Sequence, residues 1–97
     1  MIQVDLLPNR IMIRGHAMAE DGPQWREVCA AVSTLTQTAA DNLNDRNVKW
    51  VTRRLAAGDV DLRWLGKAKD IRKVLCHGYR HLAQDYPDYI KIWRDKW

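Results

Sequence analysis

The residues of this chain with the clearest chemical potential are His16 and Cys29, which flank a short polar loop. A thiol becomes a useful nucleophile only as the thiolate, so it needs a neighbouring base or a positive environment. His16 follows Gly15 at the end of an apolar strand pattern, and Cys29 lies in the first turns of the helix that comes next. The loop between them contains Gly22 and Pro23, so we expect it to be slack enough for the two side chains to meet. The pair is therefore a candidate for nucleophilic catalysis, with His16 as the general base.

Three neighbouring residues could support this pair. Gly15 permits a close backbone approach or a positive φ, which would aim the side chain that follows it. Ser33 lies one helical turn after Cys29 and could orient the thiol, although a helical serine often bonds only to a carbonyl one turn earlier. Ala30 leaves room for a substrate beside the thiol, or is simply a good helix former. The second cysteine, Cys76, has no base near it in the sequence and is interpreted as a bystander.

Alternation of apolar and polar residues predicts the β-strands. The predicted strands are residues 1–7, 10–14, 48–55, 60–65 and 89–93. The first two strands flank a Pro8-Asn9 turn, and the third and fourth flank a second short turn, so each pair indicates a hairpin. If Leu55 pairs with Val60 in the second hairpin, Arg53 falls on an apolar face, and a bulge or a slipped register would relieve that conflict.

Two amphipathic helices complete the predicted fold. The first begins near Asp21 or near Trp25 and ends near Leu43, because the Gly-Pro pair after Asp21 is compatible with either start. The later start would bring Cys29 closer to the helix N-terminus, where the dipole favours a thiolate. The second helix is predicted at residues 67–85, with a buried stripe of Ala68, Ile71, Leu75, Gly78 and Leu82 that leaves the second cysteine off centre. The order β-β-α-β-β-α-β predicts an α+β fold, with two helices packed on a largely antiparallel sheet.

Composition narrows the class of protein. The 97 residues correspond to a single domain, residues 1–97,. The two cysteines cannot build a disulfide framework, there is no signal peptide, and no apolar run approaches the about 18 residues that span a membrane. We therefore expect a cytoplasmic protein with no membrane partner. His77 and His81 have metal-ligand spacing but no third ligand is evident, so we expect neither a metal nor a cofactor,.

The second hairpin combines basic and aromatic residues, with Trp50, Arg53, Arg54 and Arg63 close together. Such a combination could hold RNA or an acidic peptide. The commoner interpretation is an exposed hairpin with cross-strand ion pairs, such as Arg54 with Asp61. The net charge of +4 is small, and the sequence contains no run of like charges,. We therefore expect no direct binding of nucleic acid.

The segment Gly15-His16-Ala17, followed after a loop by Val28-Cys29-Ala30-Ala31-Val32-Ser33, resembles the signature of the ribosomal-processing cysteine proteases (Prp). The length, the order of elements and the segment Leu82–Ile90 are similar to that family too, so the resemblance covers nearly the whole chain. It implies a cysteine endopeptidase in which Cys29 attacks the peptide and His16 transfers the proton. The implied substrate is the N-terminal extension of a large-subunit ribosomal protein, or a phage capsid or scaffold protein. The implied assembly is a homodimer with a mobile loop carrying His16.

One position departs from the family pattern. Prp enzymes usually carry an aspartate three residues before the cysteine, and here that residue is Arg26. By proximity, Asp21, Glu20 and Glu27 are the candidates to orient His16 in its place. If none of them reaches the imidazole, the alternative is a catalytically inactive homologue of the same fold that binds the ribosome, RNA or a peptide.

Overall fold

The computed structural model describes residues 1–96, in which five strands and two α-helices follow one another in the predicted order. The strands are β1 (Ile2–Leu7), β2 (Arg10–Arg14), β3 (Lys49–Ala56), β4 (Asp59–Leu65) and β5 (Ile90–Asp95). The helices are α1 (Trp25–Asp45) and α2 (Lys69–Asp85), and a 3₁₀ turn at Ala19–Asp21 precedes α1. The α+β class is confirmed, and the first helix takes the later of the two predicted starts.

The five strands form one sheet in the order β3-β4-β2-β1-β5. Strands β1 and β5 run parallel, and the other pairs in the described part of the chain are antiparallel. Because side chains alternate along a strand, one face of the sheet presents Val4, Ile11 and Leu62, all 0% exposed, to the core beneath the two helices,. The opposite face is polar and has no helix packed on it.

A bulge in β3 partly resolves the conflict expected at Arg53. The predicted register is present at the turn end of the β3–β4 hairpin, and it shifts between Trp50 and Thr52. The shift places Trp50 opposite Trp64, with ring centroids 6.4 Å apart. Arg53 still pairs with the buried Leu62, but its exposed guanidinium lies 5.8 Å from the Trp50 ring centroid. The cation therefore rests on an aromatic ring at the uncovered edge of the sheet.

The buried face of α2 is rotated from the predicted stripe. Leu75 is buried as expected, but Cys76 and Tyr79 are buried beside it, at 3% and 0% exposed. Gly78 and Leu82 are only partly buried. The prediction that Cys76 lies off the centre of the buried stripe was wrong, because α2 packs against both α1 and β5 and therefore buries a different arc of its surface,.

Close contact between the two helices depends on small and hydrogen-bonded residues. A Cβ atom at Gly78 would lie 2.7 Å from Cδ2 of Leu35, so this glycine lets the helices approach. Thr36 is buried in α1 and donates its hydroxyl hydrogen to the Val32 carbonyl at 2.7 Å. Its oxygen is 2.6 Å from the Tyr79 hydroxyl, which must then be the donor,. Burial raises the pKa of Tyr79, so it remains a neutral donor.

Candidate active site

A cleft of about 260 Å³ separates α1 from the β3–β4 hairpin, and both His16 and Cys29 line it. Cys29 reaches the cleft from α1, and His16 reaches it from the loop after β2. The apolar wall of the cleft consists of Ile2, Ile13, Val32, Leu55 and Val60. Its polar side chains on α1 are Ser33, Thr36 and Gln37. The fold therefore brings the two residues of the predicted pair to one site with an apolar wall and a polar wall.

Cys29 is partly buried and lies just over one turn inside α1. The first backbone bond of the helix runs from the Val28 N–H to the Gln24 carbonyl at 3.1 Å, so Cys29 is already within the regular helix. The field of a helix dipole falls off within the first turn, and its support for a thiolate is weak at this depth. The Sγ atom lies 3.6 Å from the carbonyl oxygen of Ala17, a contact in which the thiol donates. This geometry belongs to the protonated thiol.

His16 is exposed at the mouth of the cleft and lies against the turn of the β3–β4 hairpin. The preceding Gly15 has φ 88°, and its N–H donates to the Gly58 carbonyl at 3.0 Å. A Cβ atom at Gly58 would lie 2.6 Å from Cε1 and 2.8 Å from Cδ2 of His16, and would also overlap Nε2. The missing side chain of Gly58 is therefore what leaves space for the imidazole ring.

The loop between β2 and α1 is anchored at several points, which the sequence pattern did not indicate. Ala17 is 1% exposed, and the His16 carbonyl accepts a hydrogen bond from the Met1 amino group at 2.6 Å. At the far end of the loop, the Gln24 N–H donates to the Tyr89 hydroxyl at 2.9 Å. These contacts fix the backbone on both sides of the loop and leave the imidazole ring itself free of hydrogen bonds among residues 1–96.

The carboxylate expected to orient His16 lies elsewhere. Asp21 accepts hydrogen bonds from the Met18 N–H at 2.9 Å and from the Met1 amino group at 3.1 Å. The Met18 bond, followed by the Met1 bond, lowers the pKa of this carboxyl below its ordinary value. Asp21 thus braces the loop backbone. Within residues 1–96, neither a carboxylate nor the Cys29 thiol is hydrogen-bonded to the His16 ring.

Comparison with known proteins gives the family. The family model described as cysteine protease Prp matches residues 1–91. This chain belongs to the Prp family. A comparison with curated protein sequences gave no significant match.

Two solved structures share the Prp fold of this chain. The first is an essential ribosomal processing protease Prp from S. aureus, in complex with a covalently linked product peptide. It is 17% identical, with a TM-score of 0.78 over 98% of this chain and 100% of that chain. The second is SMU.848 from Streptococcus mutans, which is 19% identical, with a TM-score of 0.74 over 100% of this chain and 96% of that chain.

Of the other residues singled out in the sequence, Ser33 lies in the cleft and Ala30 does not. Ser33 is one turn beyond Cys29, and its Oγ accepts a hydrogen bond from Gln37 Nε2 at 3.4 Å. Ala30 is exposed on α1, outside the cleft lining. Arg26, where Prp enzymes usually carry aspartate, places its guanidinium 4.9 Å from the Trp25 ring centroid. Arg26 is therefore stacked on an aromatic ring and does not replace the missing acid.

Two site residues, Gln37 and Gly58, were not identified from the sequence. Gln37 follows Cys29 and Ser33 at intervals of four residues, so helical spacing alone places all three along one ridge of α1,. Gly58 offered a weaker signal, a glycine in the turn at residues 56–59 between two predicted strands. Its contact with His16 joins distant parts of the chain, which local patterns do not reveal.

The structure places the two histidines of α2 away from the cleft, and both are exposed. Residues 1–96 contain no group of three or more His, Cys, Asp or Glu side chains that could hold a metal ion. In the same part of the chain, no helix has the length and apolar character required to cross a membrane.

Proposed function

We propose that this protein is an active cysteine endopeptidase with Cys29 as the nucleophile and His16 as the general base. The observation that supports this most directly is that the two side chains, from α1 and from the loop after β2, line one open cleft. A nucleophile and a base that line the same substrate-binding cleft are the minimum arrangement for acyl transfer. Membership of the Prp family supports the same chemistry.

The reaction begins with a rearrangement of the resting thiol. The Cys29 side chain turns from the Ala17 carbonyl toward the His16 imidazole. The imidazole stays against the hairpin turn and accepts the thiol proton before a peptide enters the cleft. The thiolate attacks the scissile carbonyl carbon and forms a tetrahedral intermediate. The carbon–nitrogen bond then breaks as His16 returns the proton to the leaving amine. Water, activated by the same imidazole, hydrolyses the thioester and regenerates the thiol.

Side chains of α1 are the proposed donors to the negatively charged oxygen of the intermediate. The N–H of Cys29 is inside the regular helix, where backbone N–H groups already donate to carbonyls four residues earlier. The hydroxyl of Ser33 and the amide of Gln37 instead lie on the polar wall of the cleft. Donors aimed at the developing charge lower the barrier because they need no reorganisation during the reaction.

The proposed substrate is the N-terminal extension of a large-subunit ribosomal protein, with a phage capsid or scaffold protein as the variant. The apolar wall of the cleft, built partly by Ile13, Leu55 and Val60, suits a peptide with a large apolar side chain next to the scissile bond,. We also propose that the protein is a cytoplasmic homodimer of single-domain subunits. Sedimentation equilibrium tests the dimer directly.

The deciding experiment measures the rate of iodoacetamide labelling of Cys29 against pH. In the wild type, Cys29 should be labelled faster at neutral pH than a free cysteine, because the thiolate is the reactive form. His16→Ala should slow that labelling, and Cys29→Ala should abolish cleavage of the ribosomal extension. Cys76→Ser is the background control, because burial raises the pKa of that thiol to about 11. If Cys29 were labelled at the same rate in the wild type and in His16→Ala, the proposal would be refuted.

A second candidate is a catalytically inactive Prp homologue that binds the ribosome or a peptide. The specific observation in its favour is that Arg26 replaces the usual aspartate while no carboxylate among residues 1–96 contacts the His16 ring. This candidate predicts that Cys29 is labelled no faster than a free cysteine, that the wild type cleaves nothing, and that Cys29→Ala binds as the wild type does. The same two assays therefore separate it from the protease.

A further inference from the structure

The sheet face opposite the helices carries a layer of basic side chains, here named the arginine face. Strand registers place seven cations on it, Arg10, Arg14, Lys49, Arg54, Arg63, Lys91 and Arg94. The same registers place three carboxylates there, Asp5, Asp59 and Asp61. The excess of positive charge on this one face equals the net charge of +4 of the whole chain.

Two buried carboxylates hold the guanidinium groups in position. Asp5 is 2% exposed, and its oxygens lie 3.0 Å from Arg14 Nη2 and 3.2 Å from Arg94 Nε. Asp61 is 5% exposed and receives two hydrogen bonds from Arg10, at 3.0 and 2.8 Å. The side chains of Arg14, Arg94 and Arg10 nevertheless remain 55%, 44% and 32% exposed. They lie across the acids with their outer surfaces available to a ligand.

Burial raises the pKa of Asp5, but the hydrogen bonds and charges of Arg94 and Arg14 outweigh it and leave the pKa below its ordinary value. The hydrogen bonds from Arg10 lower the pKa of Asp61 in the same way. Both acids therefore stay ionised at neutral pH and keep the arginines ordered. An ordered array of cations loses less conformational entropy when an anionic partner binds.

An aromatic ring lies beside this array. Trp93, in the edge strand β5, is 59% exposed, and the Lys91 Nζ atom is 4.9 Å from its ring centroid. Proteins that bind single-stranded nucleic acid combine a positive surface that follows the phosphates with exposed rings on which bases stack. A second copy of this chain fits the face poorly, because a twofold contact would set its excess positive charge against itself.

We propose that the arginine face binds single-stranded nucleic acid, with phosphates on the guanidinium layer and a base on Trp93. This departs from the expectation, drawn from the mild net charge, that the protein does not contact nucleic acid directly. The cleft is lined by Ile2, Ile13 and Val60, which point to the helix side of the sheet. The cleft and the arginine face are on opposite sides of the sheet, so a peptide and a nucleic acid can bind at the same time. Binding of nucleic acid can therefore be measured independently of catalysis.

Fluorescence anisotropy with labelled U20 and dT20 oligonucleotides tests the proposal. Engagement of the four surplus cations predicts that log K falls with log salt concentration at a slope of about −3. Arg63→Gln should weaken binding about fivefold at 0.1 M salt and reduce that slope by about 0.7. Among the described residues, Arg63 acts on Asp61 through its charge alone, and the hydrogen bonds of that acid come from Arg10. Replacing Arg63 therefore leaves those hydrogen bonds in place. A preference for U20 or for dT20 would identify the natural strand as RNA or DNA.

Arg53→Gln is the matched control, because it removes the same charge from the same hairpin but on the helix side of the sheet. It should bind as the wild type does. Trp93→Ala should weaken binding of either oligonucleotide about tenfold and leave binding of a duplex unchanged. Equal effects of the Arg63 and Arg53 variants would overturn the proposal. Displacement of U20 by poly-glutamate at equal charge concentration would also overturn it, in favour of an acidic protein partner.

Discussion

The close approach of Gly58 to the His16 ring makes Gly58→Ala a direct test of how the proposed general base is positioned. The added methyl group would lie 2.6 Å from Cε1 and 2.8 Å from Cδ2. Carbon atoms in contact prefer separations of about 3.5 Å, so the ring must shift by about 1 Å. A displacement of that size at a catalytic group costs about 100-fold in rate. We therefore expect kcat/KM to fall about 100-fold.

Backbone strain adds a separate loss of stability that must be distinguished from this effect. Gly58 has φ 71°, and an alanine there costs about 1 kcal/mol,. For a domain of this size, that corresponds to a fall in Tm of about 4–8 °C. The assay measures peptide cleavage together with the pH dependence of iodoacetamide labelling at Cys29, both well below the lowered Tm. Thermal unfolding of the same sample reports the stability.

Gly66→Ala supplies the matched control. Gly66 also has a positive φ, 124°, but a Cβ atom there would meet only Cγ1 of Val48, at 3.8 Å. This variant should lose stability while its cleavage rate at low temperature stays within about twofold of the wild type, since no site residue moves. If both glycine variants lost activity equally, or if Gly58→Ala kept full activity, the inferred role of the hairpin turn would be wrong.

Three further predictions concern stability and thiol access. Asp61→Asn should reduce the free energy of unfolding at pH 7 by about 2 kcal/mol, because it removes the negative charge and one of the two acceptors of Arg10,. Urea titrations should show that difference shrinking as the pH falls below 3.8, because the wild-type carboxyl is then protonated in the unfolded chain while Arg10 keeps it ionised in the folded protein,. Tyr79→Phe should cost about 1 kcal/mol without changing the urea m-value, since Thr36 keeps its other hydrogen bond. Cys76, whose pKa burial raises to about 11, should resist iodoacetamide at pH 8 until the protein is unfolded, as mass spectrometry would show.

Local patterns were sufficient to predict the strands and helices, because alternation and helical spacing depend on neighbouring residues. Contacts between residues that are far apart in the sequence could not be predicted from these patterns. Asp5 falls on the polar side of β1, yet it is buried, because Arg14 and Arg94 from neighbouring strands lie across it. The position of Cys76 on α2 was predicted wrongly for a similar reason, since α1 packs on α2 from a distant part of the sequence.

For the site, the sequence provided the residue types and the structure provided their surroundings. His16 and Cys29 could be proposed together because a short loop separates them and because the motif resembles Prp. The role of Asp21 in bracing the loop could not be read from proximity, since it depends on where Met1 and Met18 lie. The contact of Gly58 with His16 could not be predicted, because it depends on the strand pairing that brings the β3–β4 turn to the loop that carries His16.

The parallel pairing of β1 with β5 joins the first strand of the chain to the last, and this has a consequence for biosynthesis. Contacts of such large sequence separation form slowly, and they cannot form until the last strand has left the ribosome. Tyr89, which holds the start of α1 through Gln24, immediately precedes that strand. The cleft can therefore reach its final form only after almost the whole chain has been translated. A nascent chain would carry His16 and Cys29 through synthesis without an assembled cleft. If the proposed protease activity is correct, this delay protects neighbouring nascent peptides from premature cleavage.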